Sequence, residues 1–296
     1  MLLRLPNRLI RFPRRPLVMG IVNVNDDSFS GDGTTKVEEV VRYAGEQAAA
    51  GADVIDVGAE SARTNREAIP IEEEVARFGG FFSRWSETVA SLQPVDLQQV
   101  WPPVLSANTW RPEVVAAVLE MGVELVNDMG GLPNACNARL AAQHGAALLV
   151  MHTMGPPKVP QTGQRWPDIM AELERFFRSK LALAQSAGLR EDQLLIDPGI
   201  DFAKQCEDNL RILGEVDRLA VFERPVLLPI SRKTVIGEVL GIEDPSERDA
   251  GTIGLLASGI QGGAQIFRVH NVAAAWQATK VLWAVLWAGE GSGLMD

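Results

Sequence analysis

A closed (β/α)8 barrel, the TIM-barrel architecture of the α/β class, is predicted by three features of the sequence. Short runs rich in Val, Ile and Leu recur eight times, and amphipathic stretches of helical period separate them. Each run is apolar nearly throughout, as in parallel strands covered on both faces. Eight strand–helix units within 296 residues also match the size of one barrel, about 250 residues plus a short extension. No linker rich in Pro, Gly or Ser divides the chain, so a single domain is expected. It divides into a basic arm over 1–16, the barrel over 17–290 and a tail over 291–296. A doubly wound open sheet is the competing architecture. It loses support because no G-x-G-x-x-G follows the first strand and no G-x-x-x-x-G-K-[ST] occurs.

The strands are expected at 17–23, 53–57, 104–107, 125–128, 147–151, 194–197, 226–230 and 265–269. Helices are expected at 36–50, 71–90, 111–121, 135–144, 167–187, 205–219, 246–261 and 271–287. Gly51 and Gly188 stand where a helix stop needs a left-handed residue. Pro112 and Pro167 stand where a first helical turn tolerates the missing N–H. Glu72, Glu73 and Glu74 read as a solvated first turn at the positive end of a helix dipole. The segments 91–103 and 153–166, which contain several prolines, read as irregular connections. Trp276, Trp283 and Trp287 recur at helical spacing in the last helix, which is expected to contribute to a homodimer surface.

Composition narrows the function. There are 28 basic and 38 acidic side chains, a formal net charge of −10, which argues against a general nucleic-acid binder. Two cysteines without a C-x-x-C motif exclude a disulfide framework and fit a reducing cytoplasm. Three histidines without H-E-x-x-H disfavour an all-protein transition-metal site. No apolar run approaches the roughly 18 residues of a membrane span. Arg4, Arg8, Arg11, Arg14 and Arg15 interrupt the apolar residues of the arm, unlike a secretory signal. An arm or hairpin packed on the domain is expected instead.

The polar residues at the C-terminal strand ends carry the functional argument, because barrel active sites collect there. The expected strands run into Asn23, Glu60-Ser61, Asn108, Asn127-Asp128, His152, Asp197, Ser231-Arg232-Lys233 and Arg268 with His270. So many converging polar groups are hard to explain as stability alone, since burying them costs free energy unless they are paired. Asn108, Asn127 and Asp197 suit a flat heterocycle whose guanidine-like edge offers a carboxylate two N–H donors. Arg63, Lys233, Arg268 and His270 suit a phosphate or diphosphate. Asn23 is a candidate ligand for a Mg²⁺ that bridges phosphate oxygens, an ion that takes oxygen donors and few protein contacts.

These residues occur in blocks that resemble the dihydropteroate synthase family of the pterin-binding barrels. The blocks are Met19-Gly-Ile-Val-Asn-Val with Asp27-Ser-Phe-Ser, Gly51-Ala-Asp-Val-Ile-Asp-Val-Gly with Glu60-Ser61, Val126-Asn-Asp, Val150-Met-His152, Ile196-Asp-Pro-Gly-Ile200, Ser231-Arg-Lys233 and Arg268-Val-His270. They follow in order from about Leu17 to the last helix. The resemblance implies a transferase of folate biosynthesis that joins 6-hydroxymethyl-7,8-dihydropterin diphosphate to p-aminobenzoate and releases pyrophosphate. It implies that Asn108, Asn127, Asp197 and Lys233 hold the pterin. Arg63, Arg268, His270 and a Mg²⁺ at Asn23 would take the diphosphate, with Lys233, Arg268 and His270 as the catalytic set. Phe29, Ser61, Phe202 and Thr234 would form the arylamine pocket and its lid.

The chain also departs from the family pattern. Asn108 stands where the family carries a carboxylate. Asp201 and Ala203 replace the glycines of a Gly-Phe-Gly-Lys block. If those positions need positive φ, both would be strained, alanine more than aspartate. Two other readings accompany the first. One is a paralogue using a different, for example ribosylated, arylamine in methanopterin-type coenzyme synthesis. The other is a non-catalytic pterin-binding protein.

Overall fold

A computed structural model describes residues 1–25, 33–61 and 67–287. The first eleven residues form an antiparallel hairpin, β1 (Leu2–Leu5) and β2 (Arg8–Arg11). Eight parallel strands follow. They are β3 (Leu17–Asn23), β4 (Val54–Gly58), β5 (Val104–Asn108), β6 (Leu125–Asp128), β7 (Ala147–Met151), β8 (Leu194–Asp197), β9 (Leu227–Leu228) and β10 (Ile266–Val269). They pair in the order β8-β7-β6-β5-β4-β3-β10-β9. The parallel bridge Ile196–Val226 joins the two ends of that order and closes the ring.

The nine helices among the described residues are α1 (Val37–Ala49), α2 (Ile71–Ala90), α3 (Pro112–Glu120), α4 (Cys136–His144), α5 (Ile169–Ser186), α6 (Cys206–Gly214), α7 (Thr234–Leu240), α8 (Asp249–Gln261) and α9 (Val272–Trp287). Their apolar faces cover the outside of the barrel. In α2, Phe78, Phe81, Phe82 and Trp85 recur at helical spacing, stack on one another and are buried. Spacings of three and four residues align side chains on one helix face.

The period of two along each strand sorts residues into two cores. Val18, Val22, Ile55 and Val57 face the helices. Leu17, Met19, Val54, Val104, Leu125, Leu149, Leu195 and Ile266 fill the lower interior, where Leu3, Leu5, Ile10 and Phe12 of the hairpin segment close it from below. The arginines of the arm bind the barrel floor. Arg4 pairs with Asp192 at 2.9 Å and Arg8 with Glu124 at 2.9 Å. The guanidinium of Arg15 meets both carboxylate oxygens of Asp53 at 3.0 Å, and both residues are buried. Removing one partner of such a pair leaves an uncompensated buried charge, at a cost of about 3–5 kcal/mol.

Several elements differ from the sequence expectation, each for a physical reason. The strand expected over 226–230 is a ladder only at Leu227–Leu228, with Val226 adding the isolated bridge to Ile196, because Pro225 precedes it and Pro229 interrupts it, and neither can donate to a ladder. The helix expected over 205–219 ends at Gly214 and continues as a 3-10 segment, Val216–Phe222. Helix α7 had no counterpart in the expectation. It has seven residues, and its first amides are held by Asp201. Pro167 lies just outside α5, and Asp168 caps that helix by accepting from Met170 and Ala171 N–H. Glu74 is buried rather than solvated, because Arg111 donates to it from Nε at 2.6 Å.

Candidate active site

Above the lower core, the inward positions of the strands turn polar and surround a cavity of about 580 Å³ at the C-terminal end of the barrel. The same alternation that points Leu17 and Met19 into the core points Ile21 and Asn23 into the cavity. One further step along each strand delivers Asn108, Asn127, Asp197, Arg268 and, just past β10, His270. Ser61, Phe202, Lys233 and Thr234 line the rim. Of the residues assigned from sequence, Phe29 and Arg63 lie outside the described residues, and the other ten gather around this one cavity.

Asp197 lies at the base. It is buried, and Oδ1 accepts from Gly199 N–H at 2.7 Å. Burial pushes its carboxyl up to about 6, against the pull of Gly199 N–H, Lys233, Lys204 and Arg268. A heterocycle donating two N–H groups to the ionised carboxylate would restore the lost solvation. Lys233 reaches the carbonyl of Ile200 at 2.9 Å and stands 4.9 Å over the Phe202 ring. Burial pulls its ammonium below the ordinary lysine value, while Asp201 and Asp197 oppose that shift.

The central organiser is Asp56, to which the sequence reading gave no role. It sits mid-strand in β4, fully buried. It accepts from Ser106 Oγ at 2.5 Å, Asn127 Nδ2 at 3.0 Å and Arg268 Nε at 2.7 Å. A charged residue in an apolar strand was the available signal, since such a group is buried only with partners. At the rim, Ser231 Oγ accepts from the backbone N–H of His270 at 3.1 Å and lies 2.8 Å from its Nδ1. Glu60 was read only as a strand-end residue. It is buried between Arg111 at 2.6 Å and Lys158 at 3.1 Å. Lys158 comes from the connection after β7, so this ion pair ties that connection to the end of β4.

Two strand-end residues face away from the cavity. Asp128 points outward, accepts from Gly130 N–H and Asn137 Nδ2, and is pushed up to about 6 by burial. His152 is buried against Lys204, whose Nζ lies 2.8 Å from its Nδ1, and against Phe176 and Trp166. Burial pulls the imidazole down to about 2, so it is neutral at physiological pH. Both positions follow from the same period of two that sends Asn127 and Met151 inward.

Among the described residues, no group of three or more His, Cys, Asp or Glu side chains could hold a metal ion. Asn23, at the end of β3, offers the cavity an amide oxygen. It faces Gly58, where a side-chain carbon would come within 3.7 Å of it. One neutral oxygen donor fits Mg²⁺ that keeps water and substrate oxygens as its other ligands.

The geometry defines a cavity with a buried carboxylate and cations among its lining residues, at the end of a barrel where enzyme sites collect. The profile of the pterin binding enzyme family matches residues 19–270. The dihydropteroate synthase of Escherichia coli K12 is 34% identical over 277 residues, 93% of each chain. That of Synechocystis is 35% identical over 275 residues, 92% of this chain and 91% of its own. The Yersinia pestis dihydropteroate synthase, solved with a sulfonamide drug complex, superposes with a TM-score of 0.86 at 29% identity, covering 97% of this chain and 100% of that one. The Xanthomonas albilineans dihydropteroate synthase in complex with 7,8-dihydropteroate gives 0.79 at 33% identity, covering 96% and 98%. The chain belongs to the pterin-binding enzyme family and, within it, to the dihydropteroate synthases.

Proposed function

We propose that the cavity binds 6-hydroxymethyl-7,8-dihydropterin diphosphate and p-aminobenzoate, and joins them with release of pyrophosphate. The amine nitrogen attacks the exocyclic methylene carbon. The bond from that carbon to the diphosphate oxygen breaks, the oxygen keeps the electron pair, and the nitrogen loses one proton. The observation that carries this reading is the pairing of a buried carboxylate, Asp197, with cations of the same cavity, Lys233 and Arg268. Asp197 and Asn127 hold the pterin edge, Asn108 lies beside Asn127 in register, and Lys233 packs against the ring. Arg268 and His270, with Arg63 of the β4 connection, take the diphosphate. Their charge opposes the negative charge that builds on the leaving group, the usual largest electrostatic contribution to such a step. Phe202, Thr234 and Ser61, which line the cavity, enclose the arylamine and exclude water that would capture the electrophile, and Phe29 is assigned to the same pocket from the sequence alone. Bound at Asn23 and the diphosphate, Mg²⁺ would add further neutralisation of the leaving group.

The experiment incubates the purified protein with the dihydropterin diphosphate, Mg²⁺ and a panel of arylamines and measures pyrophosphate. Release that depends on p-aminobenzoate is expected. Absence of pyrophosphate with every amine overturns the reading. Asn108→Asp restores the carboxylate of the family pattern, and calorimetry is expected to show pterin binding at least threefold tighter. Equal or weaker affinity means that this position is tuned to another ligand.

The protein is placed in the cytoplasm, a reading supported by two free cysteines. No helix among the described residues is long and apolar enough to cross a membrane. A homodimer is proposed through α9, where Val281, Val285 and Leu286 are exposed and Trp283 packs against Trp287, ring centroids 4.7 Å apart and planes tilted by 34°. Light scattering at micromolar concentration is expected to give about twice the chain mass of 32.1 kDa. A monomeric mass counts against it.

A further inference from the structure

We propose that Asp201 is a specificity-determining residue at the arylamine end of the cavity, biasing it against amines that carry a carboxylate. The inference rests on the transferase reading above. Asp201 lines the cavity beside Phe202, Lys233 and Thr234. It occupies the turn between β8 and α6 with φ 69°, and Ala203 follows with φ 54°. Non-glycine residues hold such conformations only where their surroundings determine them. Here they do. Asp201 N–H donates to Asn209 Oδ1 at 2.9 Å, and Asn209 Nδ2 returns a bond to Asp201 Oδ1 at 3.1 Å. Trp166 Nε1 donates to the carbonyl of Ala203 at 2.8 Å. Lys233 Nζ donates to the carbonyl of Ile200 at 2.9 Å. The carboxylate of Asp201 is therefore held in one place in the cavity wall, unlike that of a mobile surface acid.

Two consequences bear on the amine. The carboxylate of Asp201 takes the first amides of α7, accepting from Thr234 N–H at 2.5 Å and from Val235 N–H at 3.4 Å. These donors are thereby withdrawn from a carboxylate on the substrate. Lys233, a cation of the cavity lining, already interacts with both Asp197 and Asp201. A carboxylate on the amine has to share that cation with two protein carboxylates, and like charges brought close oppose each other. An uncharged amine of the same shape meets no such opposition.

The test compares p-aminobenzoate with the neutral isostere p-aminobenzamide, using pyrophosphate release with saturating dihydropterin diphosphate. Asp201→Asn keeps an acceptor oxygen for the α7 amides but removes the charge. Asp201→Gly removes the side chain and relieves the backbone. In both variants the ratio of kcat/KM for the benzoate over the benzamide is expected to rise at least tenfold, through a lower KM for the benzoate. A change below threefold in both overturns the proposal. If the wild type turns over neither amine, the transferase reading fails on its own. Calorimetric binding of the two amines to the pterin-loaded protein then decides on Asp201, and an equal effect of Asp201→Asn on both amines overturns its role.

Discussion

Asp197→Asn is expected to weaken binding of the dihydropterin diphosphate by at least about thirtyfold, the equivalent of about 2 kcal/mol for charge-assisted hydrogen bonds. The amide that replaces the carboxylate offers one acceptor atom and one donor group to a ligand edge that presents only donors. The unliganded carboxyl titrates at about 6 because it is buried. Only its ionised form accepts both N–H groups. Wild-type affinity is therefore expected to be flat above pH 6 and to weaken about tenfold per unit below it, and Asp197→Asn abolishes that limb. The sign for stability runs the other way. An acid whose folded-state pKa lies above its unfolded value binds more protons when folded, so stability falls as pH rises from about 4 to 6. Removing the buried charge is expected to raise the melting temperature of the unliganded protein at pH 7 while destroying ligand affinity. Asp128 is also raised to about 6, and it contributes the same stability trend in both proteins. Ligand affinity separates Asp197 from Asp128, which faces outward, away from the cavity, and the Asn variant separates it from Lys204, which burial lowers to about 7. Calorimetry across pH 5 to 8 with parallel melting curves checks both halves. A wild-type affinity independent of pH, or an Asn variant of equal affinity, removes Asp197 from the pterin site.

The strand ends were legible in the sequence because they obey a local rule. In a parallel barrel the residue two steps beyond a buried apolar one points the same way, so Leu125 predicts where Asn127 points and Leu195 predicts Asp197. The eight-unit pattern and most helix limits rest on the same short-range periodicities. What was not legible depends on residues far apart in the chain. Asp201 holds Thr234 across 33 positions, and that one carboxylate stabilises α7, whose seven residues carry little helical signal of their own. Glu74 looked solvated because its partner, Arg111, lies 37 positions on. The apolar pattern over 226–230 overstates the strand, because Pro229 inside it ends the pairing after Leu228. The strain expected at Asp201 and Ala203 is present, since both adopt positive φ, but the bonds that hold it there come from Asn209, Trp166 and Lys233.

Asp56→Ala is expected to cost more than any substitution at the rim, although Asp56 lies below the reacting groups. Its two oxygens hold Ser106, Asn127 and Arg268, which come from β5, β6 and β10. Alanine leaves the guanidinium of Arg268, 19% exposed, without its counter-charge and frees the Asn127 amide proposed to hold the pterin. Breaking a largely buried pair in this way destabilises by about 3–5 kcal/mol, discounted here toward about 2–3 because Arg268 keeps some contact with water. The loss in kcat/KM is expected at about a hundredfold or more, on the scale of removing one preorganised electrostatic contact. Asp56→Asn separates the two effects. It keeps the shape and one acceptor, so the protein is expected to fold with a smaller loss of melting temperature. With its oxygen in the place of Oδ2 it can still accept from Asn127 and Arg268 while its NH₂ donates to the Ser106 hydroxyl, so the loss is that of the negative charge opposite Arg268. Activity is therefore expected to fall at least tenfold in a protein whose fold is intact by circular dichroism. If Asp56→Asn retains full activity, the negative charge of Asp56 serves stability alone.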